Sequence, residues 1–167
     1  MKLFNIDNSE QPLYIAEIGV NHEGSLESAI KLMKMAKDAG YHAAKFQIYE
    51  TAHFLSNAFT DKQNRARQFE LNIHDYSKLR EYGEKIQLPV FASAISHNVV
   101  DSLVIDGVIK VASGDVNFHF MLEKIARTGC QIIMSVGASD ANDVEAAVEV
   151  IRENTNGPLW EKLALLV

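Results

Sequence analysis

The 167 residues contain one cysteine, Cys130. A lone cysteine excludes an internal disulfide framework and suits a reducing compartment, so a cytoplasmic location is the expectation. The opening MKLFNIDNSEQ has no apolar core of the kind a secretory signal carries. No apolar run approaches the roughly 18 residues that a membrane span needs, so no membrane partner is expected. Positive charge is in deficit, with 16 basic against 22 acidic residues and a net charge of -6. That argues against non-specific nucleic-acid binding, so no nucleic-acid partner is expected. The glycine spacing G-x-G-x-x-G and the Walker A pattern are both missing, which lowers a dinucleotide or P-loop reading. None of the six histidines, His22, His42, His53, His74, His97 and His119, pairs at the H-x-x-x-H spacing of a helical metal site. No metal ligand is therefore assigned in this chain.

What remains is an ordinary globular composition, 47% hydrophobic and 23% charged. At about 150 residues per domain, the length predicts one domain. Short apolar runs alternate with helical periodicity. Strands are predicted at 12–19, 42–48, 88–95, 108–112 and 131–136, with a sixth beginning at 163. Between them lie helices predicted from Ser25, Asn72, Ser96, Asn117 and Ser139 as N-caps, with Gly40 and Gly129 as stops. The polar stretch 49–69 is long for a connection, so it is either functional or partly helical. The reading is five βα units and the start of a sixth. Regular alternation implies a parallel α/β sheet. It is either doubly wound or a partial (β/α)₈ TIM barrel.

The polar residues at the C-terminal strand ends favour the barrel, because barrel enzymes build their sites there. They are Glu17 and Asn21, Lys45 and Gln47, Ser93 and Ser96, Lys110, Ser113 and Asp115, and Ser135 with Gly137. Two lysines at one mouth suit a phosphate or a carboxylate. Hydroxyls and helix N-termini would complete such a pocket. Each residue also has a bland explanation. A strand-end lysine is usually a solvated rim residue, and Ser96 and Ser139 read best as simple caps. Lys45 and Lys110 are less ordinary, since each interrupts an apolar strand. Glu17 is hard to dismiss, because an unpaired buried carboxylate is costly. His22 is held as a candidate because it sits in the first loop on the catalytic side. Cys130 lies on the opposite, N-terminal side and is a poor nucleophile candidate.

Two long segments resemble the sialic acid (N-acetylneuraminate) synthase family. IAEIGVNHEGSLESAIKLMKMAKDAGYHAAKFQIY is similar to its opening, and IKVASGDVNFHFMLEKIARTGCQIIMSVGAS to its K-[IV]-x-S-G-[DE]-x-N block. The resemblance runs from about Tyr14 to the last residue. It implies condensation of phosphoenolpyruvate with an N-acetylated aldose such as N-acetylmannosamine on a (β/α)₈ barrel. It also implies a divalent metal, manganese or magnesium, and a homodimer completed by an antifreeze-like domain. By position, Lys45, Ser93, Lys110, Ser113 and Ser135 resemble the phosphoenolpyruvate-binding set. Glu17 and Gln47 look like sugar contacts, and Asp115 like the group that orients or deprotonates water. Asn21 and His22 match the first loop.

The chain departs from the family pattern in three places: FASAIS where S-T-P-F is usual, S-V-G where S-T-G is usual, and a shorter loop after the second strand. The metal-binding histidines expected after the sixth and seventh barrel strands and the antifreeze-like domain are not in the sequence. The resemblance therefore covers an N-terminal portion of the barrel. That portion is expected to be nearly inactive alone and, with open sheet edges, prone to association. Two rivals stay open: a Schiff-base aldolase using Lys45 or Lys110, and a non-catalytic truncated or degenerate fragment.

Overall fold

The structure, a computed structural model, describes residues 2–4, 6–7 and 12–167. Two short antiparallel strands, β1 (Lys2–Leu3) and β2 (Ile6–Asp7), precede the main sheet. The sheet has six parallel strands: β3 (Ile15–Gly19), β4 (Ala43–Ile48), β5 (Val90–Ala94), β6 (Val108–Val111), β7 (Gln131–Ser135) and β8 (Leu163–Leu166). They lie side by side in chain order. A doubly wound sheet reverses its strand order at a switch point. This order never reverses, and the strands form a curled half-barrel.

Parity along each strand separates two cores. Ala44, Phe46 and Ile48 of β4, with Ala92, Ile109, Ile132 and Met134 of its neighbours, pack outward against the helices. Ala43, Phe91, Val108 and Ile133 pack together on the inner face, and Leu3 of β1 closes the cluster from below. Phe4 lies against Phe91, with ring centroids 5.1 Å apart. The inner positions above this apolar floor are polar, and they form the mouth described below.

The helices follow the predicted caps at two ends and depart from them at three. Ser25 caps α1 (Leu26–Asp38) by accepting from the Ser28 amide. Asn72 caps α4 (Ile73–Ile86) through the Asp75 amide. α7 (Ala141–Asn154) is capped by Asp140 in a reciprocal box with Asp143, not by Ser139, because the acidic pair satisfies both amides. α6 (His119–Arg127) begins after Phe118, so Asn117 is not its cap. Ser96 precedes a 3-10 turn and α5 (Val100–Leu103) without capping either, because its hydroxyl is used elsewhere. The stretch 49–69 is largely helical, with α2 (Thr51–Phe54) and α3 (Thr60–Phe69). A last short helix, α8 (Leu159–Lys162), leads into β8.

One glycine fixes how closely a helix approaches the sheet. Gly83 of α4 is buried, and a Cβ there would lie 2.6 Å from the Leu88 carbonyl oxygen and 2.7 Å from Val90. Cys130 is buried at the N-terminal end of β7, on the side away from the mouth, as its sequence position predicts.

Candidate active site

The inner face places the predicted residues in adjoining register. Glu17 pairs with Lys45 across β3 and β4, Gln47 with Ser93 across β4 and β5, and Ser93 with Lys110 across β5 and β6. A register shift between Glu17 and Gly19 re-aims the end of β3. Gly19 is left-handed, and the Gln47 amide lies against it. Ser135 ends β7, and Ser113 and Asp115 form the 3-10 turn that follows β6.

The two lysines are the unusual feature. Lys45 and Lys110 are only 4% and 6% exposed. Lysine is almost never buried without a partner, because its charge must leave water. Lys45 Nζ is 2.7 Å from Glu17 Oε2 and donates to Ser93 Oγ at 3.2 Å. Glu17 is itself 63% exposed, so it is not the buried carboxylate that the sequence pattern predicts. It reaches the lysine from the solvent side of the mouth. Lys110 Nζ donates to the Val111 carbonyl at 2.6 Å. An ammonium has three protons to give, so this bond leaves Lys110 able to meet an anion.

Burial lowers the Lys110 pKa to about 8. The positive charge of Lys45 pushes it the same way, and Glu17 and Asp115 offset part of the shift. Asp115 shifts in the complementary direction: burial raises its pKa and the charge of Lys110 opposes the rise. The mouth therefore holds two cations in each other's field, with a half-buried carboxyl near one of them. With Glu17 on Lys45 and Asp115 near Lys110 the formal charges balance, and the remaining ammonium protons are the donors an anion would meet.

His22 is placed differently from its expected role. It is fully buried, and its ring lies 6.0 Å from that of Phe46, which packs on the outer, helix-facing side of β4. Its Nδ1 accepts from the Gly24 amide at 3.1 Å, and burial lowers its pKa. It braces the first loop and does not line the mouth. Asn21 is exposed on that loop, and its side-chain amide is committed to the Ile18 carbonyl at 2.8 Å. Ser96 is buried, and its hydroxyl accepts from the Glu50 amide at 3.4 Å. Sequence reasoning missed Glu70, whose carboxylate holds Thr51 at the start of α2. The spacing of 19 residues gives no local signal for that contact. Among the described residues, no group of three histidine, cysteine, aspartate or glutamate side chains could hold a metal ion.

The structure is an unreversed parallel α/β half-barrel with a buried lysine pair at its C-terminal mouth. The NeuB family profile matches residues 32–166, and the chain belongs to that family. It is 30% identical over 152 residues to the human N-acetylneuraminate-9-phosphate synthase, covering 83% of this chain and 42% of that protein. It is 29% identical over 168 residues to the N,N'-diacetyllegionaminic acid synthase of Legionella pneumophila, covering 91% and 47%. The crystal structure of the N-acetylneuraminic acid (sialic acid) synthetase from Leptospira borgpetersenii, in complex with citrate, superposes with a TM-score of 0.87. That likeness has 27% identity and covers 99% of this chain and 57% of the synthetase. The chain spans about half the length of the curated relatives it matches.

Proposed function

We propose that this mouth is the phosphoenolpyruvate site of a nonulosonic acid synthase. The reaction joins phosphoenolpyruvate to an N-acetylated aldose, N-acetylmannosamine or a related sugar, and releases phosphate. The observation that carries the reading is the buried Lys45–Ser93–Lys110 run on three adjacent strands. The synthase names of the relatives support the product class.

The chemistry balances as follows. The enol carbon of phosphoenolpyruvate attacks the aldehyde carbon of the sugar, forming the new C–C bond. Water adds to the cationic carbon left behind, the tetrahedral carbon collapses to the ketone as phosphate departs by C–O cleavage, and the two protons of the water end on the former aldehyde oxygen and on the phosphate. Lys45 and Lys110 hold the carboxylate and phosphate, with Ser93, Ser113 and Ser135 donating beside them. Asp115, near Lys110, takes the proton of the attacking water. Its raised pKa makes it a better base than an ordinary aspartate. Glu17 and Gln47 face the sugar at the β3–β4 side. The resemblance implies manganese or magnesium, which would act as a Lewis acid on the aldehyde. The described residues do not supply its ligand set, so no step here runs through it.

A Schiff-base aldolase has one observation in its favour, the lowered pKa of Lys110, which frees some neutral amine near pH 8. Two measurements on the full chain separate the readings. Borohydride reduction with pyruvate is expected to leave the protein mass unchanged. Phosphoenolpyruvate is expected to slow acetylation of Lys45 and Lys110 but not of exposed Lys31. A reduced adduct on either mouth lysine, or equal acetylation with and without phosphoenolpyruvate, would overturn the proposal.

A further inference from the structure

We infer that Glu70 is a positioning residue for the sugar side of the mouth, acting through Thr51. The inference deepens the proposed function and rests on it for the identity of the ligand. The geometry of the clamp stands independently.

Three consecutive residues leave the end of β4, and each is tied to a different segment. Tyr49 is buried, and its hydroxyl donates to the Ala66 carbonyl in α3 at 2.9 Å. The Glu50 amide donates to Ser96 Oγ, beyond β5, at 3.4 Å. Thr51 is 2% exposed, and both its amide and its hydroxyl donate to Glu70 Oε2, at 2.9 and 2.5 Å. One carboxylate oxygen thus closes the whole excursion between β4 and α4. Hydrogen bonds to a charged acceptor are about twice as strong as neutral ones, and these two are part-buried.

The excursion is also seated from the other side. Gly24 in the first loop is left-handed, and a Cβ there would lie 2.1 Å from the Gln68 carbonyl oxygen at the end of α3. Within the excursion, buried Gln63 donates to the Leu55 carbonyl at 2.8 Å and to Asn57 at 2.9 Å, fixing α2 against α3.

The clamp lies on one side of the mouth only. It begins two residues after Gln47 and follows the strand paired with Glu17. Of the phosphoenolpyruvate set, Lys45 and Ser93 stand inside β4 and β5, Lys110 on β6, Ser113 in the turn after it and Ser135 on β7. Releasing Glu70 therefore loosens the segment that follows Gln47 and leaves the phosphoenolpyruvate set, which lies within the strands and in the turn after β6, in place. Glu70 touches no reacting atom in this scheme. It sets where the first turn of α2 stands, just beyond Gln47.

The test compares Glu70→Ala, Glu70→Gln and wild type in the full chain by amide hydrogen exchange and by ligand affinity. In Glu70→Ala, exchange across 51–69 is expected to rise at least ~10-fold, with β5 and β6 unchanged, as release of about 1.4 kcal/mol or more of local stability requires. Glu70→Gln keeps an acceptor and is expected to fall between. Phosphoenolpyruvate affinity is expected to stay within ~2-fold, while N-acetylmannosamine affinity in its presence falls ~10-fold or more. Unchanged exchange across 51–69 would remove the clamp. Increased exchange with equal loss of both affinities would make Glu70 a general structural residue and reject the positioning role. If wild type binds no phosphoenolpyruvate, the proposed function fails, and the exchange measurements still decide the clamp.

Discussion

Lys110→Met is expected to lose phosphoenolpyruvate binding by ~10²-fold or more and, at the same time, to melt at a higher temperature. The two effects have one cause. Lys110 holds a positive charge that is 6% exposed and is repelled by Lys45. Removing one partner of a buried charged contact costs roughly 2–5 kcal/mol of binding. Without ligand, the same charge is a burden on the fold, and methionine keeps the apolar stem while removing it. Functional groups that are unfavourable to stability are a common trade-off in enzymes.

The pH dependence follows from the sign of the shift. The folded pKa of Lys110, about 8, lies below its ordinary value of 10.5. Above 10.5 the amine is neutral in both states, and Lys110 costs the fold nothing electrostatic. As pH falls from 10.5 to about 8, the unfolded chain takes up the proton first and is favoured. Below 8 the penalty is constant. The melting-temperature advantage of Lys110→Met should therefore be full below pH 8 and shrink as pH rises toward 10.5. Thermal unfolding of both proteins across that range checks it. A variant that is destabilised at pH 7, or an advantage that grows with pH, would show that Lys110 is a stabilising structural residue.

Gly24→Ala carries the second large expectation. The added Cβ meets the Gln68 carbonyl oxygen at 2.1 Å, which is backbone and cannot rotate away. The position also has a φ of +76°, where an L side chain is strained. A left-handed alanine costs roughly 1–2 kcal/mol, and forced overpacking about 1–3 more. The sum, about 2–5 kcal/mol, should lower the urea midpoint with little change in the slope of the transition. Gly40→Ala is the control: it shares the positive φ, but a Cβ there meets nothing within 4 Å. Only the strain component should appear in it. Equal midpoints for the two variants would show that the first loop does not rest on α3 as described.

The sequence made the sheet legible because each buried strand is a short apolar run between a helix and a turn, and chain order then fixed the neighbours. The mouth was legible for a related reason: a lysine inside HAAKFQI or VIKVAS has to face somewhere that accepts charge, and the inner face of a barrel does. Contacts distant in sequence were not legible. His22 was a candidate only because it sits in the first loop on the catalytic side. The fold turns it under β4 against Phe46, where its imidazole braces the Gly24 amide. Ser96 looked like a cap, yet its hydroxyl serves Glu50, 46 positions away. Asp140 took the cap assigned to Ser139 because Asp143 answers it reciprocally. The polar stretch after β4 has weak apolar periodicity. Its helices are held mostly by polar contacts from Gln63, Tyr49 and Glu70, which periodicity does not record. The small pairing of β1 with β2 also went unread, since two-residue strands leave almost no pattern.

The central claim is that the buried lysine mouth receives phosphoenolpyruvate, and equilibrium dialysis of the ligand against the full chain tests it most directly. Saturable binding of one molecule per chain is predicted, displaced by inorganic phosphate and weakened in both Lys45→Met and Lys110→Met. Absence of saturable binding, or binding that survives both substitutions unchanged, would contradict the account.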